Sequence, residues 1–100
     1  MDRLVTLAKI LSDINRLKII ALIHREKELC VCEICDTLEL SQPLVSRHLK
    51  KMREADIVQA RQSGKRMLYS LRKSKTIDCF LSTIKEDQEK LPHIISCTKQ

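Results

Sequence analysis

Ser41-Gln42-Pro43-Leu44-Val45-Ser46-Arg47-His48-Leu49-Lys50 opens on a hydroxyl, sets a proline two residues later, and then runs at helical spacing. A serine at this position can accept a hydrogen bond from the free N–H groups that begin a helix. Proline is tolerated in the first turn, because the N–H it lacks has no helical partner there. Val45, Leu49 and Met52 form the apolar face of the helix so started. At about 100° per residue from Val45, Pro43, Arg47, Lys50 and Glu54 point outward. Ser46 and Lys51 lie on the flanks of that outward face, and Gln42 stands at the helix N-terminus.

Upstream, Val31, Ile34, Cys35 and Leu38 share one face of a shorter helix, and Glu39-Leu40 turns the chain into Ser41. Two helices joined by a tight turn form a helix-turn-helix over about residues 31–54, here without a glycine in the turn. Helices in this position put their N-terminal residues into the major groove. There glutamine pairs with adenine, arginine with guanine, and serine with either. The candidate DNA contacts on the second helix are therefore Ser41, Gln42, Pro43, Ser46 and Arg47, with Lys50 and Lys51 suited to phosphates. His48 sits at the boundary between groove and core, and is carried as a candidate contact.

Downstream the period changes from helical to alternating. Val58, Ala60 and Gln62 alternate with Gln59 and Arg61, and Met67, Tyr69 and Leu71 with Leu68 and Ser70. Between the two runs lies Ser63-Gly64-Lys65, with the one glycine of the chain, placed where a β-hairpin needs positive φ. The hairpin, about residues 57–71, carries Arg61, Lys65 and Arg66 as further candidate DNA contacts. A basic hairpin after a helix-turn-helix is a wing.

Two helices precede this unit. Leu4, Leu7, Ala8 and Leu11 recur at amphipathic spacing behind Asp2, which reads as an N-cap. Ser12-Asp13 breaks that pattern and caps a second helix, Ile14 to about His24, that is apolar nearly all round and so belongs at the domain centre. Arg25 to Glu28 reads as a charged connection. A last helix, about residues 75–91, carries Ile77, Phe80, Leu81, Ile84 and Leu91, and Pro92 stops or bends it.

The 100 residues suit one domain, mostly α with a β-hairpin wing. A net charge of +6 favours a polyanionic partner, most simply duplex DNA. With only Tyr69 and Phe80 as aromatics, the chain lacks the stacking platforms of single-strand binders. No apolar run approaches the roughly 18 residues of a membrane span, and the first residues have no secretory pattern. A cytoplasmic protein with reduced thiols is expected, and no membrane partner. There is no glycine-rich phosphate loop and no nucleophile or paired-acid motif, so neither an enzyme nor an organic cofactor is expected.

Three of the five cysteines stand in six residues, Cys30-Val31-Cys32-Glu33-Ile34-Cys35. Three thiols can hold a soft ion, and their count suits three-coordinate As(III) or Sb(III) better than tetrahedral Zn(II). On a regular helix Cys32 and Cys35 share a face, but Cys30 and Cys32 are ~160° apart. Binding therefore requires Cys30 to lie outside the helix or the first turn to unwind. Cys97 is a possible further ligand, and Cys79 a weaker one.

Leu11-Ser12-Asp13-Ile14-Asn15-Arg16-Leu17-Lys18-Ile19-Ile20, Glu28-Leu29-Cys30-Val31-Cys32 and Ser41 to Leu49 together resemble the ArsR/SmtB family of bacterial metal-responsive repressors. The resemblance covers about residues 4–90, and the third cysteine resembles the arsenic-responsive branch. It implies a winged helix-turn-helix that binds operator DNA as a homodimer and is released when As(III) or Sb(III) binds Cys30, Cys32 and Cys35. It further implies that the first and last helices build the dimer. That agrees with the apolar stripes Leu4, Leu7 and Leu11, and Ile77, Phe80, Leu81 and Ile84. The alternatives are a Cd/Pb/Zn-responsive repressor of the same fold and a thiol redox sensor.

Overall fold

The computed structural model describes residues 1–84 and residue 94, with the side chains of residues 83 and 84 left out. The expectations placed on the Ile84 side chain, on Leu91, Pro92 and Cys97, and on the extension of the last helix to residue 91, lie outside what is described.

Helices α1 (Asp2–Leu11) and α2 (Ile14–Glu26) are followed by a two-residue strand β1 (Leu29–Cys30), then by α3 (Val31–Leu38) and α4 (Gln42–Glu54). Strands β2 (Val58–Ser63) and β3 (Arg66–Leu71) form the hairpin, and α5 (Lys75–Ile84) follows. Helices α3 and α4 with the turn between them, and the hairpin β2–β3, make up a winged helix-turn-helix.

Helix α2 is the centre of the core. Ile19, Ile20, Ala21, Leu22 and Ile23 are all buried, so the middle of the helix is enclosed on every side. Ile14 departs from the all-round apolar reading. It is 63% exposed. Asp13 caps the first turn of α2, accepting from the N–H groups of Asn15 at 2.8 Å and Arg16 at 3.3 Å. Asp2 does not cap α1 as expected. It is already helical, Met1 holds the cap position, and no side chain caps there. Around α2 pack Ile34 from α3, Val45, Leu49 and Met52 from α4, Ile57 and Val58 at the start of the hairpin, and Ile77 and Leu81 from α5.

Turns without glycine are made by other residues in left-handed backbone. Glu39, at φ 55°, ends α3, and Asp56, at φ 60°, follows α4. After Asp56 the Ile57 N–H reaches back to the Met52 carbonyl at 2.8 Å, which satisfies a last-turn acceptor of α4. In the hairpin Gly64 takes φ +63° at the first central position of a two-residue loop, a conformation that L side chains resist. The alternation expected in β3 is only partly realised: Tyr69 and Leu71 pack on the core, but Met67, near the tip, is 40% exposed.

The sheet has three strands in the order β1-β3-β2, all antiparallel. Leu29 pairs with Tyr69 and Cys30 with Leu68. The two residues between the charged connection and α3 thus form a third strand, and the first cysteine of the cluster belongs to the sheet of the wing.

Candidate nucleic-acid interface and thiol cluster

Ser41 has extended backbone, and its Oγ accepts the Leu44 N–H at 3.4 Å, closing the N-terminus of α4 as the sequence suggests. Val45, Leu49 and Met52 are fully buried and anchor the helix. Ser41, Gln42, Pro43, Ser46, Arg47, Lys50 and Lys51 are all exposed. With the buried face held and this face bare, the start of α4 offers amide, hydroxyl and guanidinium donors on a fixed helix.

His48 does not join them. It is 6% exposed, and its Nδ1 accepts from Arg16 Nε of α2 at 2.9 Å. That bond assigns the proton to Nε2, which is buried with no partner among the described residues. Burial pushes the imidazole below its usual value, Asp13 pulls the other way, and Arg16, Arg47 and Lys51 add to the lowering. His48 therefore locks α4 to α2 and is corrected from a DNA contact to a packing residue.

The three wing cations differ from one another. Lys65 is exposed at the turn. Arg61 is exposed but gives both Nε and Nη2 to the Glu28 carboxylate, at 2.6 and 2.8 Å. That pairing holds the Glu28 carboxyl below its ordinary value. Arg66, expected as a DNA contact, is half-buried and turned inward. Its Nη2 reaches Cys30 Sγ at 3.2 Å and Glu33 Oε1 at 3.0 Å.

Cys30 is the N-cap of α3, with extended backbone (φ −91°, ψ 163°) and 5% exposure. It thus lies outside the helix, one of the two arrangements that convergence of the three sulfurs allows. The Cys30 N–H donates to Glu33 Oε1 at 3.1 Å, the return half of a capping box. Cys32 is exposed in the first turn, its Sγ 3.6 Å from Asp36 Oδ2, and it is disulfide-bonded in this structure. Cys35 is 8% exposed and part of the core cluster. Burial pushes its thiol up, with Asp36 and Cys30 adding to the shift. Among the described residues no group of three His, Cys, Asp or Glu side chains is drawn close enough to hold an ion. Cys30, Cys35 and Cys79 are not in disulfides, and Cys79 is exposed on α5.

Of the expected dimer stripe, Leu11, Ile77 and Leu81 are taken up by the core of the single chain, and Leu7 packs at its edge. Leu4 and Phe80 stay on the surface at 59% and 40% exposure, with Val5 at 49%. Among the described residues no helix is long and apolar enough to cross a membrane.

Sequence reasoning missed β1, the Arg16–His48 bond and the Arg66 contacts. The spacing of Glu33 three residues after Cys30 is a capping-box signal that was open to reading.

Residues 13–60 match the family described as bacterial regulatory protein, arsR family. The chain is 51% identical over 63 residues to the arsenic resistance transcriptional regulator ArsR1 of Pseudomonas putida, covering 63% of this chain and 49% of that protein. It is 37% identical over 70 residues to the cadmium resistance transcriptional regulatory protein CadC of Listeria innocua, covering 70% of this chain and 59% of that one. The chain thus spans about half to three fifths of the length of these curated relatives. Its fold is similar to that of the transcriptional regulator HlyU of Vibrio vulnificus, with a TM-score of 0.73 at 30% identity over 85% of this chain and 86% of that one. The chain belongs to the arsR family of bacterial regulatory proteins.

Proposed function

We propose that this chain is a cytoplasmic transcriptional repressor that binds operator DNA as a homodimer and is released when As(III) or Sb(III) binds Cys30, Cys32 and Cys35. The observation that carries the reading is the position of the thiols. They begin at the junction of β1 and α3, so one end of the cluster is in the sheet of the wing and the other leads through α3 to the recognition helix α4. The exposed donors of α4 supply the DNA-reading side. Leu4, Val5 and Phe80, exposed on the first and last described helices, are apolar contacts available to a second copy.

The chemistry balances without an added redox partner. With the thiols reduced, neutral arsenite, As(OH)₃, exchanges three As–O bonds for three As–S bonds, and three waters leave with the thiol protons. The cost is structural. Cys35 is embedded in the core and Cys32 is on the surface, so drawing both to Cys30 displaces the first turns of α3. That strain moves the α3–α4 turn and lowers affinity for DNA. The inducer must therefore bind the free form better than the DNA-bound form, by a coupling commonly about 1–3 kcal/mol.

A mobility-shift assay on the operator, titrated separately with arsenite, antimonite, Cd(II), Zn(II) and peroxide, tests the reading. Release by arsenite and antimonite supports it, and loss of that release in Cys32→Ser with operator binding intact ties it to the cluster. Release by Cd(II) alone favours a cadmium-type sensor, the reading that the 37% identical relative suggests. Release by peroxide alone favours thiol redox sensing, for which the disulfide at Cys32 is the supporting observation.

A further inference from the structure

The wing arginine that faces inward does more than fill space. Arg66 opens β3, opposite Ser63 across the hairpin turn, so its backbone belongs to the tip of the wing. Its Nη2 nevertheless ends on Cys30 Sγ at 3.2 Å and on Glu33 Oε1 at 3.0 Å. Glu33 Oε1 also accepts the Cys30 N–H at 3.1 Å. These three contacts close a ring of Cys30, Glu33 and Arg66 that ties the wing tip to the N-terminus of α3. The Arg66 Nε is buried with no partner among the described residues, so Nη2 carries the polar anchoring seen for this guanidinium on that side.

We infer that Arg66 is a positioning residue that reports the state of Cys30 to the wing: the guanidinium and a soft metalloid compete for the Cys30 sulfur. In the ligand-free protein the sulfur accepts an N–H from Arg66. Once the sulfur lone pair is donated to arsenic or antimony, that acceptor is weakened and the space beside it is filled. The Nη2 contact is given up, and the wing loses its tie to α3. The inference rests on the proposed function. It adds a path through β3 to the path through α3 and α4, and it makes a cation outside the ligand set a determinant of the response.

The test uses the full chain with thiols reduced. Arsenite affinity of the free protein, operator affinity without arsenite, and operator affinity at saturating arsenite are measured for wild type, Arg66→Met, Glu33→Gln and the double variant. Wild type should show a coupling ratio on the order of 5–150-fold. In Arg66→Met operator affinity falls, arsenite binds as tightly as in wild type or more tightly, and the coupling ratio shrinks towards one. Glu33→Gln moves all three quantities in the same direction, and the double variant adds little to either single change. A general loss of structure would instead weaken arsenite binding too, which overturns the competition. A wild-type coupling ratio retained in both single variants overturns the role of Arg66 while leaving the proposed function standing. Absence of any arsenite effect on wild type overturns both. Should Arg66→Met fail to fold, Glu33→Gln alone decides by the same criteria.

Discussion

The exposed and buried faces of α4 allow base reading to be separated from phosphate binding by three substitutions. Gln42, Arg47 and Lys50 are all exposed, while Val45, Leu49 and Met52 hold the helix from the other side. Replacing any of the first three by alanine should change the stability of the fold by no more than about 0.5 kcal/mol. Losses in operator binding then report contact with DNA. A side chain bidentate to a base is worth about 1–3 kcal/mol of discrimination, roughly 5–150-fold. In a two-fold dimer each substitution counts twice, so Arg47→Ala or Gln42→Ala should cost about 2–6 kcal/mol on the operator and much less on a random duplex. Lys50→Ala should weaken both duplexes alike. It should also reduce the slope of log K against log salt by about 0.9 per subunit, close to 2 per dimer. Fluorescence anisotropy on both duplexes at 50, 100 and 200 mM salt measures all of these quantities. Equal losses on operator and random DNA for Arg47→Ala would refute base reading by this helix. An unchanged salt slope in Lys50→Ala would refute the phosphate role.

Three further outcomes follow from the packing. Leu49→Ala removes a fully buried anchor and should cost about 2–5 kcal/mol, a large part of the roughly 5–15 kcal/mol of a small domain, as read by urea denaturation. Because burial lowers the pKa of His48 in the fold, its contribution to stability is fully present above the unfolded value near pH 6.5. It is lost as pH falls through the lower folded value, so denaturation midpoints should fall on acidification, and less steeply in His48→Gln. Charging the exposed apolar positions in Leu4→Glu and Phe80→Glu should shift sedimentation towards the monomer without unfolding the chain; an unchanged dimer would remove these residues from the interface.

Long periodic segments were legible in the sequence. The hydroxyl, proline and apolar spacing of α4, the cap at Asp13, and the hairpin around Gly64 each rest on local chemistry that tertiary structure did not override. β1 was not legible, since two residues carry no period, and Leu29-Cys30 becomes a strand only by pairing with Tyr69 and Leu68. The turn at Glu39 was placed, but its left-handed backbone was hidden because no glycine marks it. Within the candidate site, spacing asked for Cys30 outside the helix or an unwound first turn, and the structure has Cys30 at the cap. Spacing did not show where long side chains end. Arg61 and Arg66 are two wing cations of the same kind in sequence, yet one pairs with Glu28 at the surface and the other turns in to a thiol. His48 was placed at a boundary by its angle alone, and the bond from Arg16, 32 residues away, decides which side it takes.

X-ray absorption at the arsenic edge, on reduced protein loaded with one equivalent of arsenite per chain, bears most directly on the claim that Cys30, Cys32 and Cys35 form one site. Three sulfur neighbours are predicted, falling to two in each of Cys30→Ser, Cys32→Ser and Cys35→Ser. A spectrum with three sulfurs that survives Cys30→Ser would contradict the account, because the ligand that couples the site to the wing would then play no part in holding the metalloid.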